Sequence, residues 1–172
     1  MSKTYARDGV VFLPRALDQT TLRSAEQLFD WSCAHPTPSA CHFYEELGST
    51  FYQDLCHPEA PLIYRDLLEN SIVADISADI WDDDEVWFLY EQVFLKDGAA
   101  MRRTPWHQDA PYLSLDGDRL AVMWINFEPV EKDASLEFVR GSHKQTLYDG
   151  SAFDSNDDTA PIYGLKNGEG LP

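Results

Sequence analysis

Apolar residues recur at helical spacing through the first half of the chain and gather into short strand-like runs in the second half. Leu22, Ala25, Leu28 and Phe29 share one face of a helix expected from Asp18, as N-cap, to about Ala34, where His35-Pro36-Thr37-Pro38 breaks the pattern. Leu62, Leu67, Leu68, Ile72, Ile76 and Ile80 predict a helical region from Pro61 through Trp81. Gly9 to Leu13 reads as a short strand, and the aromatic-rich stretch from Cys41 to Leu55 fits neither period cleanly. Val86 to Lys96 reads as a long strand. One face would carry Trp87, Leu89, Glu91, Val93 and Leu95, the other Phe88, Tyr90, Gln92, Phe94 and Lys96. Two further apolar runs, Leu120 to Phe127 and Ser135 to Val139, predict strands, the second closed by Arg140-Gly141-Ser142-His143. Helices first and strands later is an α+β order.

Charge narrows the choice of partners. The 30 acidic residues outweigh 13 basic ones to give a net charge of −17, which repels a phosphate backbone and argues against nucleic-acid binding. Asp82-Asp83-Asp84-Glu85 reads as a solvated turn, because consecutive carboxylates cannot all face one ion. The opening is polar and no apolar run approaches the roughly 20 residues that cross a bilayer, so a cytoplasmic protein with no membrane partner is expected. Cys33, Cys41 and Cys56 have no C-x-x-C spacing and, with His35, His42 and His57, match no zinc template.

The chemistry concentrates in Thr104-Pro105-Trp106-His107-Gln108-Asp109. If residues 107–109 are extended, His107 and Asp109 leave the same face and can converge on one ion. An imidazole and a carboxylate are two of the three protein ligands used by non-haem Fe(II) oxygenases.

Taken with Glu91-Gln92-Val93-Phe94-Leu95-Lys96, with Trp124 seventeen residues past the histidine, and with Gly141-Ser142-His143-Lys144, this motif resembles the phytanoyl-CoA dioxygenase family. The opening Tyr5-Ala6-Arg7-Asp8-Gly9-Val10-Val11-Phe12-Leu13-Pro14 is similar to the family's usual start, so the resemblance spans nearly the whole chain. It implies a double-stranded β-helix, a jelly-roll or cupin-like barrel with flanking helices, in a single domain over residues 1–172. The helical region would cover about 17–81, the barrel strands about 86–143, and a lid-like loop 145–172. It also implies an Fe(II)- and 2-oxoglutarate-dependent dioxygenase that hydroxylates a small organic substrate with O2. By position, His107 and Asp109 would be metal ligands, while Gln92, Gln108, Trp124 and, more weakly, Thr104 would contact the 2-oxoglutarate cosubstrate. The retained Asp109 favours hydroxylation, since related halogenases lack that carboxylate.

The chain departs from the family after Lys144. Neither the expected second histidine ligand nor the arginine that pairs with 2-oxoglutarate is apparent, and His143, the only later histidine, belongs by resemblance to the Gly-Ser-His turn. The expectation is an incomplete barrel and a truncated, impaired oxygenase. The alternative is a complete small protein that has shed catalysis, a binding or scaffolding member of the same fold. An open barrel exposes strand edges, so self-association by edge pairing is expected. Sedimentation velocity should show a dimer or larger species; a monodisperse, cooperatively melting monomer would contradict the open-barrel expectation.

Overall fold

The computed structural model describes residues 1–98, 104, 106–113, 115, 117, 119–149 and 164–165. Most of the lid-like loop expected over residues 145–172 lies outside the described residues. In chain order the helices are α1 (Ser2–Asp8), α2 (Gln19–Ala34), α3 (Ala60–Ile63), α4 (Arg65–Asn70) and α5 (Ile72–Trp81). The strands are β1 (Cys41–Phe43), β2 (Thr50–Leu55), β3 (Gln92–Asp97), β4 (Tyr148–Asp149) and β5 (Gly164–Leu165). Contacts divide the chain into two compact units: Met1–Val11, Arg103–Trp124 and Glu131–Pro172 form the first, Phe12–Arg102 and Ile125–Val130 the second.

The second unit holds the larger core. Helix α2 begins as expected, with the Asp18 carboxylate accepting the Thr21 backbone N–H at 2.7 Å and so satisfying one of the donors that every helix start leaves open. Ala25 is buried with Ala60, Tyr64, Leu67 and Val73, and Leu28, Trp31, Ile125 and Phe127 pack around them. Tyr64 pins α2 through its hydroxyl, which donates to the Leu28 carbonyl at 3.1 Å and lies 2.8 Å from the buried Ser32 hydroxyl.

The helical region beyond Pro61 forms as three segments. Ser71 is extended, with φ −126° and ψ 175°, and its hydroxyl accepts the Val73 N–H at 3.2 Å while donating to the Leu67 carbonyl. This serine cap restarts the helix and resets its phase. Leu67 and Ile76 are buried as the spacing predicts, whereas Leu62 and Ile72 stand 62% and 44% exposed and Val73 takes the inward position instead.

The stretch from Cys41 to Leu55 is a hairpin. Strands β1 and β2 pair antiparallel, and β2 pairs with β3 from Thr50 opposite Asp97 to Leu55 opposite Gln92. The strand expected from Val86 is therefore paired only from Gln92 onward. Its partner ends at Leu55, and Cys56 adopts φ +58°, which turns the backbone away after one last Cys56 N–H to Glu91 carbonyl bond of 3.1 Å. Trp87, beyond that limit, is 85% exposed.

The double-stranded β-helix is not formed among the described residues, whose ladders are the three-stranded sheet and the two-residue β4–β5 pair. Architecture at this level is mixed helix and strand around a small antiparallel sheet. Leu120–Phe127 and Ser135–Val139 carry strand-like sequence but no ladder, because a strand needs a neighbouring edge for its N–H and C=O groups. Val122, Trp124, Phe138 and Val139 stay exposed, while Ile125 and Phe127 pack into the second unit's core. The short strand expected at Gly9–Leu13 is also absent. Gly9 sits at φ +75° as the C-cap of α1 and donates to the Tyr5 carbonyl at 2.7 Å, ending a helix where a strand was expected to begin.

A buried carboxylate ties the sheet to the loop after α2. Asp54, 4% exposed, accepts the Thr37 N–H at 2.7 Å, the Thr37 hydroxyl at 2.5 Å, the Leu55 N–H at 2.8 Å and the Tyr52 hydroxyl at 3.3 Å. Burial alone would raise its pKa, but the bonds from Thr37, Leu55 and Tyr52 outweigh burial and hold it below the ordinary value. Burial, then the Asp54 charge, push the Tyr52 phenol up to about 12. Asp54→Ala should lower the unfolding free energy by about 3 kcal/mol in urea titrations at neutral pH, the order expected when several bonds to one buried charge are lost. Because the folded pKa lies below the unfolded value of about 3.9, this stabilisation is complete above that pH and drains away as pH falls through the folded pKa. The variant should therefore lose part of the acid limb of the stability profile below about pH 4.

Candidate functional site

In the first unit the motif brings its two metal-type donors together. His107 Nε2 lies 3.3 Å from Asp109 Oδ1, with side chains 37% and 60% exposed. Two donors each about 2.1 Å from one octahedral ion stand about 3 Å apart, so the pair fits two adjacent coordination positions. The local backbone differs from the extended triplet expected. Asp109 is in the α region, φ −72° and ψ −35°, and its carbonyl accepts the Tyr112 N–H at 3.0 Å to start a one-turn 3-10 segment, Ala110–Tyr112, that Pro111 favours. The turn places the Tyr112 ring edge-on to the His107 imidazole, centroids 5.9 Å apart.

Tyr5 borders the carboxylate. Its phenol donates to the Leu120 carbonyl at 3.3 Å, and burial, then the Asp109 charge, raise its pKa. Among the described residues no group of three His, Cys, Asp or Glu side chains gathers as a metal set. His143 is engaged elsewhere in this unit, its Nε2 lying 3.3 Å from the Ala6 carbonyl, while a Cβ at Gly9 would run into its ring.

Gln108 bonds to a distant stretch of the first unit. Its Nε2 donates to the Ser142 carbonyl and to the Thr146 carbonyl, both at 3.2 Å, so both amide protons are committed to the turn that carries Gly141-Ser142-His143-Lys144.

The remaining cosubstrate candidates are placed as follows. Thr104 and Trp124 belong to the first unit and are exposed, Trp124 by 45%. Gln92 belongs to the second unit as the exposed first residue of β3. On its strand face stands Lys96, whose ammonium lies 4.5 Å above the Phe51 ring and whose pKa burial lowers. Lys96 and Gln92 are four residues apart on β3 and so share the face that the strand pattern assigns them. Asp8 and Arg140, which reach the turn from α1 and from the chain before it, share no such pattern across a separation of 132 positions.

No curated protein and no solved structure matches the chain. A family model described as phytanoyl-CoA dioxygenase does match, over residues 5–167. That match covers nearly the whole sequence, includes the His107–Asp109 pair, the Gln92 strand and the Gly141–Lys144 turn, and establishes that the chain belongs to the phytanoyl-CoA dioxygenase family, whose members are Fe(II)- and 2-oxoglutarate-dependent oxygenases.

Proposed function

We propose that this chain is an oxygenase domain that uses Fe(II), 2-oxoglutarate and O2 to hydroxylate a small organic substrate, on a single jelly-roll domain of which the described sheet is a part. The observation that carries the reading is the 3.3 Å approach of His107 and Asp109 inside a family match that spans them. Iron with 2-oxoglutarate supplies the oxidising power for such hydroxylation. The protein's part is to hold and exclude. His107 offers a neutral imidazole lone pair and Asp109 an anionic oxygen, a donor set suited to Fe(II). The Trp124 indole N–H, the Thr104 hydroxyl and the Gln92 amide are donors able to bind carboxylate oxygens, and Lys96 is the cation on Gln92's strand face. Tyr112, 52% exposed and against the His107 ring, is an apolar wall for substrate.

With His107 and Asp109 as the two ligands proposed, the chain should hold iron weakly and turn over poorly. The same observation, no third donor among the described residues, favours a second reading as a non-catalytic binding or scaffolding member of the family. Anaerobic titration with Fe(II) and 2-oxoglutarate separates the two. The weak visible charge-transfer band of the chelate should appear with the wild-type chain and vanish in His107→Ala. No band from the wild type, or an equal band from the variant, would leave the second reading standing.

A further inference from the structure

The family match accounts for the Gly-Ser-His turn and the Asp-Gly opening as sequence features, but the structure joins them physically. Helix α1 ends at Asp8, whose carboxylate is gripped by Arg7 at 2.7 and 2.8 Å and by Arg140 at 3.0 Å to each oxygen. The Asp8 side chain is only 11% exposed, although both guanidinium groups are largely in water. Its carbonyl accepts the Gly141 N–H at 2.8 Å, and the Ala6 carbonyl accepts from His143. Gly9 makes this approach possible. Its φ of +75° suits glycine, and a side chain there would collide with the His143 imidazole. The far side of the same turn is bonded to Gln108 through Ser142 and Thr146, and Gln108 sits between His107 and Asp109.

A continuous run of charge-assisted and backbone hydrogen bonds thus leads from α1, through residues 140–146, to the residue separating the two metal-type donors. Charge-assisted bonds to a carboxylate are the stronger kind. Groups that orient metal ligands from behind commonly change metal affinity when removed.

We infer that Asp8, Arg140 and Gln108 are positioning residues: α1 clasps the Arg140–Thr146 turn, and the turn holds Gln108 so that His107 and Asp109 stay converged. This rests on the reading of that pair as metal ligands. It also gives Gln108 a role as a strut, with its donors directed to protein carbonyls.

Amide hydrogen exchange tests the clasp without any metal. In Arg140→Ala and Gly9→Ala, exchange over residues 106–113 should quicken about tenfold while β2, residues 50–55, is unchanged, and Arg140→Lys should recover most of the protection. No change over 106–113 in either variant overturns the inference. If Arg140→Ala quickens exchange everywhere, Gln108→Met decides, since it leaves α1 intact. It should loosen residues 142–146 about tenfold, and an unchanged turn there overturns the inference. Co(II) titration then tests the consequence for the site. Its Kd should weaken about tenfold in Arg140→Ala, and equal affinity in wild type and variant would remove the positioning role. If the wild type binds no Co(II), the ligand reading of His107 and Asp109 fails, and the exchange measurements alone decide whether the clasp holds the triplet.

Discussion

A backbone N–H or C=O removed from water must find a partner, and for a strand that partner is another strand's edge. This requirement governs what the chain builds. Where β2 offers an edge, β3 forms and stops within a residue of where β2 stops. The left-handed turn at Cys56 is the physical end of that edge, and Glu91 is the last residue to receive a bond across it. Leu120–Phe127 and Ser135–Val139 have the composition of strands, yet they meet no edge among the described residues and their apolar side chains are largely left in water. Strand propensity is a statement about fit to a half-buried pleated surface, and it has little force before that surface exists.

Local signals were legible for the same reason in reverse, since they need no distant partner. Asp18 caps α2 from three residues away, and the Ala25 and Leu28 face packs inward as its spacing indicates. The helical region was legible in extent but not in phase, because a hydroxyl on Ser71 competes for the backbone and restarts the helix. The nearness of His107 and Asp109 was legible from their separation by one residue, although the turn at Asp109 achieves it by a route other than extension. What spacing cannot reveal is the cross-chain chemistry. Asp8 with Arg140, Gln108 with Ser142 and Thr37 with Asp54 join positions that no periodicity relates. Gly9 illustrates the ambiguity well. A glycine before an apolar run can open a strand or close a helix; here it closes one with a local bond to Tyr5, and two further bonds, from Gly141 and His143, reach the same helix end from more than a hundred residues later.

Asp54 and Asp8 show how one residue type serves different ends. Asp54 is satisfied by neutral donors, two from the backbone and two hydroxyls, so its charge is spread over bonds that all demand tight geometry. Asp8 is satisfied chiefly by cations, with the Arg7 bonds the largest influence holding its pKa well below the usual carboxylate range. The first arrangement sits in the sheet and stiffens a core. The second lies at the surface, where its partners are long and flexible.

That surface arrangement has an electrical consequence. One carboxylate shared by two guanidinium groups carries an excess positive charge, in a chain whose overall charge is −17. Small dicarboxylates diffusing toward such a molecule are repelled over most directions, and the repulsion is weakened where Arg7 and Arg140 face the solvent. The range of that local relief is about one Debye length, roughly 8 Å at physiological ionic strength, so it bears on the last steps of an encounter and leaves long-range approach to the protein's net field.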